Sequence, residues 1–299
     1  CLGIGNMFQS NQAYVQLVQV TGGEAGPLEG LGWLVGLIMA VLVGVIIIGG
    51  IKSIARVTSK LVPFMALIYV IGALVVIGMN ASELPGAVAA IISGAFTMEG
   101  ATGGFIGVMI LGFQRAAFSN EAGIGSAAIA HSAVQTDKPI TEGFVALLEP
   151  FIDTVVICTL TGLVLVTAFD AQTIAGDGPK GIELSSAAFA SQITWAPLPL
   201  SVVAVLFAFS TMLAWAYYGT KGWVYIFGEG RKKEMVFGVI FCIFIVIGAA
   251  VKLDAILDFA DALIFVMAIP NLIGLYILAP EIKSDLKQYW ADIGEAQSD

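Results

Sequence analysis

Histidine, cysteine and charged residues are scarce in this sequence. Its 299 residues include one histidine and three cysteines, and Asp, Glu, Lys and Arg together make up only 12%. One histidine excludes a His-rich metal site, and three widely spaced cysteines exclude a disulfide framework. A soluble domain carries about 25% charged residues, so this chain has too few charges to cover a globular surface. A formal net charge of -9 also argues against a nucleic-acid partner.

The sequence is instead rich in apolar residues. They make up 58% of the chain, and the mean hydropathy is +0.94. The apolar runs are long and continuous, unlike the weakly alternating strands of a membrane β-barrel. The sequence therefore predicts an all-α integral membrane protein that lies in the lipid bilayer.

Seven apolar stretches are long enough to cross a bilayer, which takes about 20 residues as a helix. Short linkers with helix breakers such as Gly22, Pro27 and Pro85 separate them. We predict one transmembrane domain over residues 1–280 and a polar cytoplasmic tail over 281–299. The predicted spans are residues 31–50, 61–79, 101–130, 142–168, 197–217, 235–251 and 259–280, preceded by the end of another helix at 1–20.

The first residue is a cysteine within an apolar segment, and no basic leader precedes it. We therefore expect the sequence to be the C-terminal portion of a longer protein, truncated at the N-terminus and missing its first helices.

The basic residues divide unequally between the two sides of the predicted topology. Ten lie on one side, only Lys180 and Lys252 lie on the other, and Arg115 lies within a span. Because positive charge favours the cytoplasmic side, we predict a cytoplasmic C-terminus in a multi-pass protein of the prokaryotic inner or plasma membrane. The ten are Lys52, Arg56, Lys60, Lys138, Lys221, Arg231, Lys232, Lys233, Lys283 and Lys287.

Polar residues concentrate in the middle of the third full span. Arg115 and the run Ser119-Asn120-Glu121 are followed at once by Gly123 and Gly125. Charges at this depth mark functional sites, and glycines two apart favour unwinding. A helix broken at mid-bilayer offers its ends and its free backbone to a substrate carboxylate and a cation. The alternative is close packing through small residues, with Arg115 and Glu121 as a structural ion pair.

Other polar groups at membrane depth are further candidates. The adjacent hydroxyls of Ser210 and Thr211 can ligate a hard cation, or can bond to their own helix. Asp153 can hold a cation or pair with Arg115. A group of polar side chains also lies near the start of the chain, and some of them are expected to face headgroup water. The group is Asn6, Gln9, Ser10, Asn11 and Gln12.

His131 follows Ser126 by five residues, which raises the possibility of an intramembrane serine protease. Such a dyad normally places its histidine on a facing helix, so this remains a remote alternative. A channel, or a membrane component that transports nothing, is a closer alternative to a protein that binds a substrate and a cation.

The segment Phe118-Ser-Asn-Glu-Ala-Gly-Ile-Gly-Ser-Ala-Ala-Ile-Ala130 resembles the hallmark of the alanine/glycine:cation symporter family, which usually reads FSNEAGLGSAPIA. Ala128 replaces the usual proline, and Ala116 replaces a usual glycine. Further matches run through the whole chain, from residues 3–11 through 153–159 and 210–219 to 268–274.

The resemblance implies a sodium-coupled importer of alanine or glycine that works by alternating access, with no cofactor beyond the coupling ion and no enzymatic activity. It implies an inverted-repeat, five-plus-five helix fold with discontinuous helices. The amino-acid preference, sodium or proton coupling, and the oligomeric state stay open. By resemblance, the substrate residues are Gln9, Phe118, Asn120, Gly123, Gly125, Thr211 and Trp215, and the sodium ligands are Ser119, Ser210 and Thr211. Their position within the spans makes Arg115, Glu121 and Asp153 candidate coupling or structural charges.

Overall fold

The computed structural model describes residues 1–96, 104–170, 173, 174, 176 and 178–296, and these residues form helices and no strand. A 3-10 turn at Gly23–Ala25 follows the first helix, and α7 is π-helical over Phe151–Cys158. The helices are α1 (Met7–Val20), α2 (Gly32–Ile47), α3 (Gly50–Met79), α4 (Leu84–Phe96), α5 (Gly104–Ser119), α6 (Ser126–His131), α7 (Pro139–Ala168), α8 (Ile182–Gln192), α9 (Pro197–Phe227), α10 (Arg231–Ala250) and α11 (Leu253–Ala296).

Within the described part of the chain, five helices are long and apolar enough to cross a membrane: α3, α7, α9, α10 and α11. Each contains most of one predicted span and extends beyond it. A lipid environment leaves backbone amides and carbonyls no partner outside the chain, so apolar runs of this length form helices. The predicted all-α membrane architecture is thus confirmed at this level.

Two helices lie where we predicted only linkers. Helix α4 begins one residue before Pro85, and proline is tolerated in the first turn of a helix because its missing N–H has no partner there. Helix α8 follows Gly181, which has a φ of 58° and so turns the chain at the start of the helix. At about 1.5 Å per residue they extend only about 20 and 16 Å, which is too short to cross a bilayer.

Of the early polar side chains, some of which were expected to face headgroup water, Asn6, Ser10 and Asn11 are buried and do not face it, whereas Gln9 and Gln12 are half-buried. The Nδ2 of Asn6 donates to the carbonyl of Phe241 at 2.9 Å, and that of Asn11 donates to the carbonyl of Val251 at 2.7 Å. The Nε2 of Gln16 donates to Ser186 Oγ at 3.1 Å. These bonds hold α1 between α10 and α8.

The main core lies among α1, α2, α9 and α10, around Trp215 and Phe241. A second cluster joins α3, α7 and α8 around Val164 and Phe189. Trp215 is only 1% exposed, and a Cβ on Gly5 would lie 2.4 Å from its ring. The backbone before α1 therefore lies directly against α9.

The predicted polar tail continues the last helix. Helix α11 runs to Ala296 and contains Pro270 and Pro280. The tail contacts the start of α7, because Lys138 Nζ lies 2.7 Å from Asp292 Oδ2 and the ring of Phe144 lies 6.0 Å from that of Trp290. The hydrogen bond to Asp292 raises the pKa of the exposed Lys138 ammonium.

Helices α2 and α10 touch where glycine removes a side chain. A Cβ on Gly32 would lie 2.3 Å from the carbonyl oxygen of Ala249, and one on Gly36 would lie 2.9 Å from Val246 Cα. Small residues permit this close approach of two membrane helices.

We predict that Gly36→Ala destabilises the chain by about 1–3 kcal/mol, because the added methyl group overpacks a closed contact. Gly44→Ala on the same helix is the matched control, since its Cβ would lie at an ordinary 3.5 Å from Cys242 Sγ. The control should be neutral or slightly stabilising, because alanine favours a helix over glycine. Thermal unfolding in detergent micelles, followed by circular dichroism, measures both, and equal melting temperatures would contradict the packing argument.

Candidate substrate and ion site

The predicted interruption of the third full span is present in the structure. Helix α5 ends at Ser119 and α6 begins at Ser126. Between them Glu121, Gly123 and Gly125 have φ values of 58°, 83° and 94°. Only glycine adopts this left-handed region at little cost, so the two glycines permit the break and Glu121 is held in a strained conformation.

Asn271 of α11 closes one side of the break. Its Nδ2 donates to the carbonyl of Gly123 at 2.9 Å. A Cβ on Gly125 would lie 3.1 Å from the Oδ1 of Asn271. The side chain of Asn271 thus packs closely against the unwound backbone because Gly125 carries no side chain of its own.

The π-helical part of α7 closes another side. Ser119 Oγ donates to Asp153 Oδ2 at 2.7 Å, and Asn120 Nδ2 donates to Thr154 Oγ1 at 2.8 Å. A π-helix inside an α-helix is frequently found at a functional site. The structure therefore brings Ser119 to the predicted charge Asp153, and Asn120 to the neighbouring Thr154.

Arg115 pairs with Asp261 of α11, so neither Glu121 nor Asp153 is its partner and both predicted pairings were wrong. Its Nη2 and the Nε2 of Gln114 both contact Asp261 Oδ2. The guanidinium carbon lies 5.4 Å from the ring centroid of Phe118. Arg115 is therefore fixed between α11 and the end of α5.

Two aromatic side chains lie at the ends of the break. Phe118 meets Phe8 of α1 edge-to-face, with ring centroids 4.9 Å apart. The carboxylate of Glu121 lies beside Ser126 and the buried Trp215 of α9. Three predicted positions (Phe118, Glu121 and Trp215) thus lie where α5, α6, α1 and α9 meet.

The family model for the "Sodium:alanine symporter family" matches residues 1–299. The chain belongs to this family. It is 37% identical over 96% of its length to the "Sodium/alanine symporter AgcS" of Methanococcus maripaludis. Over 85% of its length it is 34% identical to the "Amino-acid carrier protein AlsT" and 33% identical to the "Probable sodium/glutamine symporter GlnT", both of Bacillus subtilis. The chain spans 62%, 54% and 53% of these three relatives.

Membership in the sodium:alanine symporter family supports the coarse prediction of a multi-pass membrane transporter with sodium as the coupling ion. The names of the relatives include both an alanine and a glutamine symporter. Family membership alone therefore leaves the amino acid open.

Three other predicted residues, Gln9, Ser210 and Thr211, form no hydrogen bond to the described residues of the break. Ser210 Oγ donates to the carbonyl of Phe207 on its own helix at 2.9 Å, as the alternative interpretation expected. The neighbouring Thr211 is half-buried. The amide of Gln9 donates to the carbonyl of Ile4 at 3.3 Å. Within the described residues, no hydrogen bond joins these three side chains to residues 119–126.

His131 contacts carboxylates and not the Ser126 hydroxyl. Its Nδ1 lies 2.6 Å from Glu142 Oε1 and its Nε2 lies 3.4 Å from Glu149 Oε2. The hydrogen bond with Glu142 raises the pKa of His131, partial burial opposes this, and Glu149 adds to the increase. An imidazole occupied in this way is poorly placed to activate Ser126.

The sequence interpretation missed Asp261 and Asn271 as site residues. Both lie inside the predicted span 259–280, and a carboxylate at that depth is itself a functional signal. The charge of Asp261 could have been found by the argument that found Arg115. Asn271 carries no charge, and it follows Pro270, which was treated only as part of the family resemblance.

We predict that Arg115→Leu and Asp261→Leu are coupled by about 1–2 kcal/mol in a double-mutant cycle of unfolding free energy, because either single change leaves a charge without its partner. The matched cycle pairs Arg115→Leu with Glu121→Leu, and its coupling should be within about 0.5 kcal/mol of zero. Denaturation by sodium dodecyl sulfate in mixed micelles gives the free energies. Stronger coupling in the second cycle would restore Glu121 as the partner.

Proposed function

We propose that this protein is a sodium-coupled carrier that imports alanine or glycine across the cell membrane by alternating access. The broken helix within the family hallmark carries the proposal, because unwound backbone at membrane depth is tolerated only where protein or a cavity surrounds it. The proposed architecture is the inverted-repeat, five-plus-five helix fold, with the C-terminus in the cytoplasm. The proposed roles below concern the part of the site that this chain carries.

The substrate is proposed to bind against the unwound residues 120–125. The positive φ values of Gly123 and Gly125 turn backbone N–H and C=O groups out of the helix, and such groups suit the carboxylate and ammonium of an amino acid. Phe118 and Trp215 are the apolar walls, and Asn120, Gln9 and Thr211 are the proposed polar contacts. Walls of this size favour a small side chain, since a pocket discriminates by the groups it cannot accommodate.

Sodium is proposed to bind between α5 and α7. Ser119 Oγ and Asp153 Oδ2 lie 2.7 Å apart, and both are oxygen atoms of the kind that hard cations take. A carboxylate also offsets the charge of the ion in a medium of low dielectric constant. Ser210 and Thr211 are the proposed ligands of a second position, where Ser210 must exchange its bond to Phe207 for the ion.

Coupling follows from the bonds that hold the break. Asp153 and Thr154 join it to α7, while Asp261 and Asn271 join it to α11. An ion that replaces the Ser119–Asp153 bond changes the contact of α5 with α7. Sodium then favours one arrangement of the helices by its difference in affinity for the two.

Two other functions remain as alternatives. Proton coupling would use Glu121 or Asp153, both carboxylates beside the break. A channel or a non-transporting component would use the same residues for packing alone, and its activity would be insensitive to the loss of the Ser119 hydroxyl.

We expect the gene product, reconstituted into liposomes, to accumulate labelled alanine when sodium is outside and to fail when potassium replaces it. Glycine should compete and glutamine should compete less well, because of the aromatic walls. Uptake is measured by filtration at fixed membrane potential and pH. Equal uptake in potassium would overturn sodium coupling, and uptake driven by an inward proton gradient alone would favour Glu121 or Asp153.

We expect Ser119→Ala to raise the sodium concentration for half-maximal alanine uptake about tenfold, because one oxygen ligand of a charged species is lost. Ser132→Ala is the matched control, since among the described residues that hydroxyl bonds only to the carbonyl of Ile129 on its own turn. An unchanged sodium requirement in Ser119→Ala, or an equal change in the control, would remove Ser119 from the sodium site.

A further inference from the structure

Helices α2 and α10 enclose a cavity away from the broken helix. They are in close contact at Gly36 and Ala249, where a Cβ on Gly36 would lie 2.9 Å from α10. At Gly44 and Gly238, which line the cavity, the corresponding distance to the opposite helix is 3.5 Å. The cavity between them has a volume of about 450 Å³. This lies within the range of about 300–1,000 Å³ that small-molecule sites occupy.

The two ends of the cavity differ in polarity. The length between the helices is lined by aliphatic side chains such as Leu37, Val41 and Ile243, and α3 adds Ile54. Arg231 and Glu234 from the first turn of α10 lie at the open end, with Tyr217 and Thr220 of α9. The cavity is thus an apolar slot with a polar mouth.

The mouth is surrounded mainly by positive charge. Arg231 is followed by Lys232 and Lys233, and the carboxylate of Glu234 is the one negative charge in this run of four residues. The ammonium of Lys221 lies 5.4 Å from the ring centroid of Tyr217, which lines the mouth. Arg231 forms no salt bridge within the described parts of the chain, so its guanidinium is available to an anion.

We propose that this cavity binds an anionic phospholipid of the bilayer, with one acyl chain between α2 and α10 and the phosphate at Arg231. The slot is lined mainly by aliphatic side chains, and an acyl chain is the apolar ligand that a bilayer supplies. A small zwitterionic amino acid has no chain to fill the slot. The mouth opens at the end of the molecule that carries Lys52 and Arg231–Lys233, where basic residues attract anionic headgroups.

The headgroup determines selectivity in this site. An acyl chain moves from one apolar medium to another when it enters the cavity. The free energy of this transfer is therefore small. Each basic residue near a membrane surface contributes a factor of about five in affinity for an anionic lipid. Selectivity for phosphatidylglycerol over phosphatidylcholine should therefore depend on Arg231.

The test counts bound lipid by native mass spectrometry on the full chain in detergent, titrated with phosphatidylglycerol, phosphatidylcholine or palmitate. We expect phosphatidylglycerol to bind more tightly than the other two. Arg231→Gln should lower its affinity about fivefold, and the neighbouring Lys232→Gln, which does not line the cavity, by less than about twofold. Equal losses of affinity in the two variants would show that the lipid responds to surface charge in general, and this would overturn the proposal.

A second pair of variants tests the slot itself. Gly238→Leu places a side chain in the cavity, and Gly274→Leu on α11 places the same side chain in open space. Only Gly238→Leu should lower the binding of both phospholipids, and Gly44→Leu should do so from the opposite wall. Unchanged binding in both cavity variants would overturn the site, as would tighter binding of palmitate. Because the readout is bound lipid and not uptake, it is independent of the proposed transport.

Discussion

A backbone that leaves its helix inside a membrane has to find hydrogen-bond partners within the protein, because lipid offers none. Residues 120–125 leave the helix within the predicted span 101–130. The carbonyl of Gly123 is satisfied by Asn271, and the amide of Ala122 is satisfied by the side chain of Asn120 at 2.9 Å. The positions of α7 and α11 around the break follow from this requirement.

The same requirement explains the polar face of α1. Asn6 reaches the carbonyl of Phe241 in the middle of α10, and Asn11 reaches those of Gly248 and Val251 at its C-terminal end. Gln12 accepts a hydrogen bond from the amide of Ile182 at 3.0 Å. Such bonds specify the partner and the register of a helix more sharply than apolar contact, which any neighbour can supply. Helix α1 is therefore fixed beside α10, and this places Phe8 against Phe118.

The features that the sequence predicts best are those that depend on residues close together along the chain. The apolar spans and the break after Ser119 follow from local composition and from two glycines. Helix α4 was missed because Pro85 resembles a terminator when its position in the first turn is unknown. The partner of Arg115 was missed because Asp261 lies 146 residues away, and a single sequence carries no information on which intramembrane charges meet.

The last helix joins the break to the far end of the chain. Asp261 and Asn271 lie beside the broken helix, while Asp292 and Trp290 of the same α11 lie against the start of α7. About 31 residues of helix separate Asp261 from Asp292, a length of about 46 Å. A tilt of about 5° at the break would move the distal end by about 4 Å. Pro270 and Pro280 are the points at which α11 can bend, so the full displacement reaches the tail only while the helix stays straight at both prolines, and a bend at either one absorbs it.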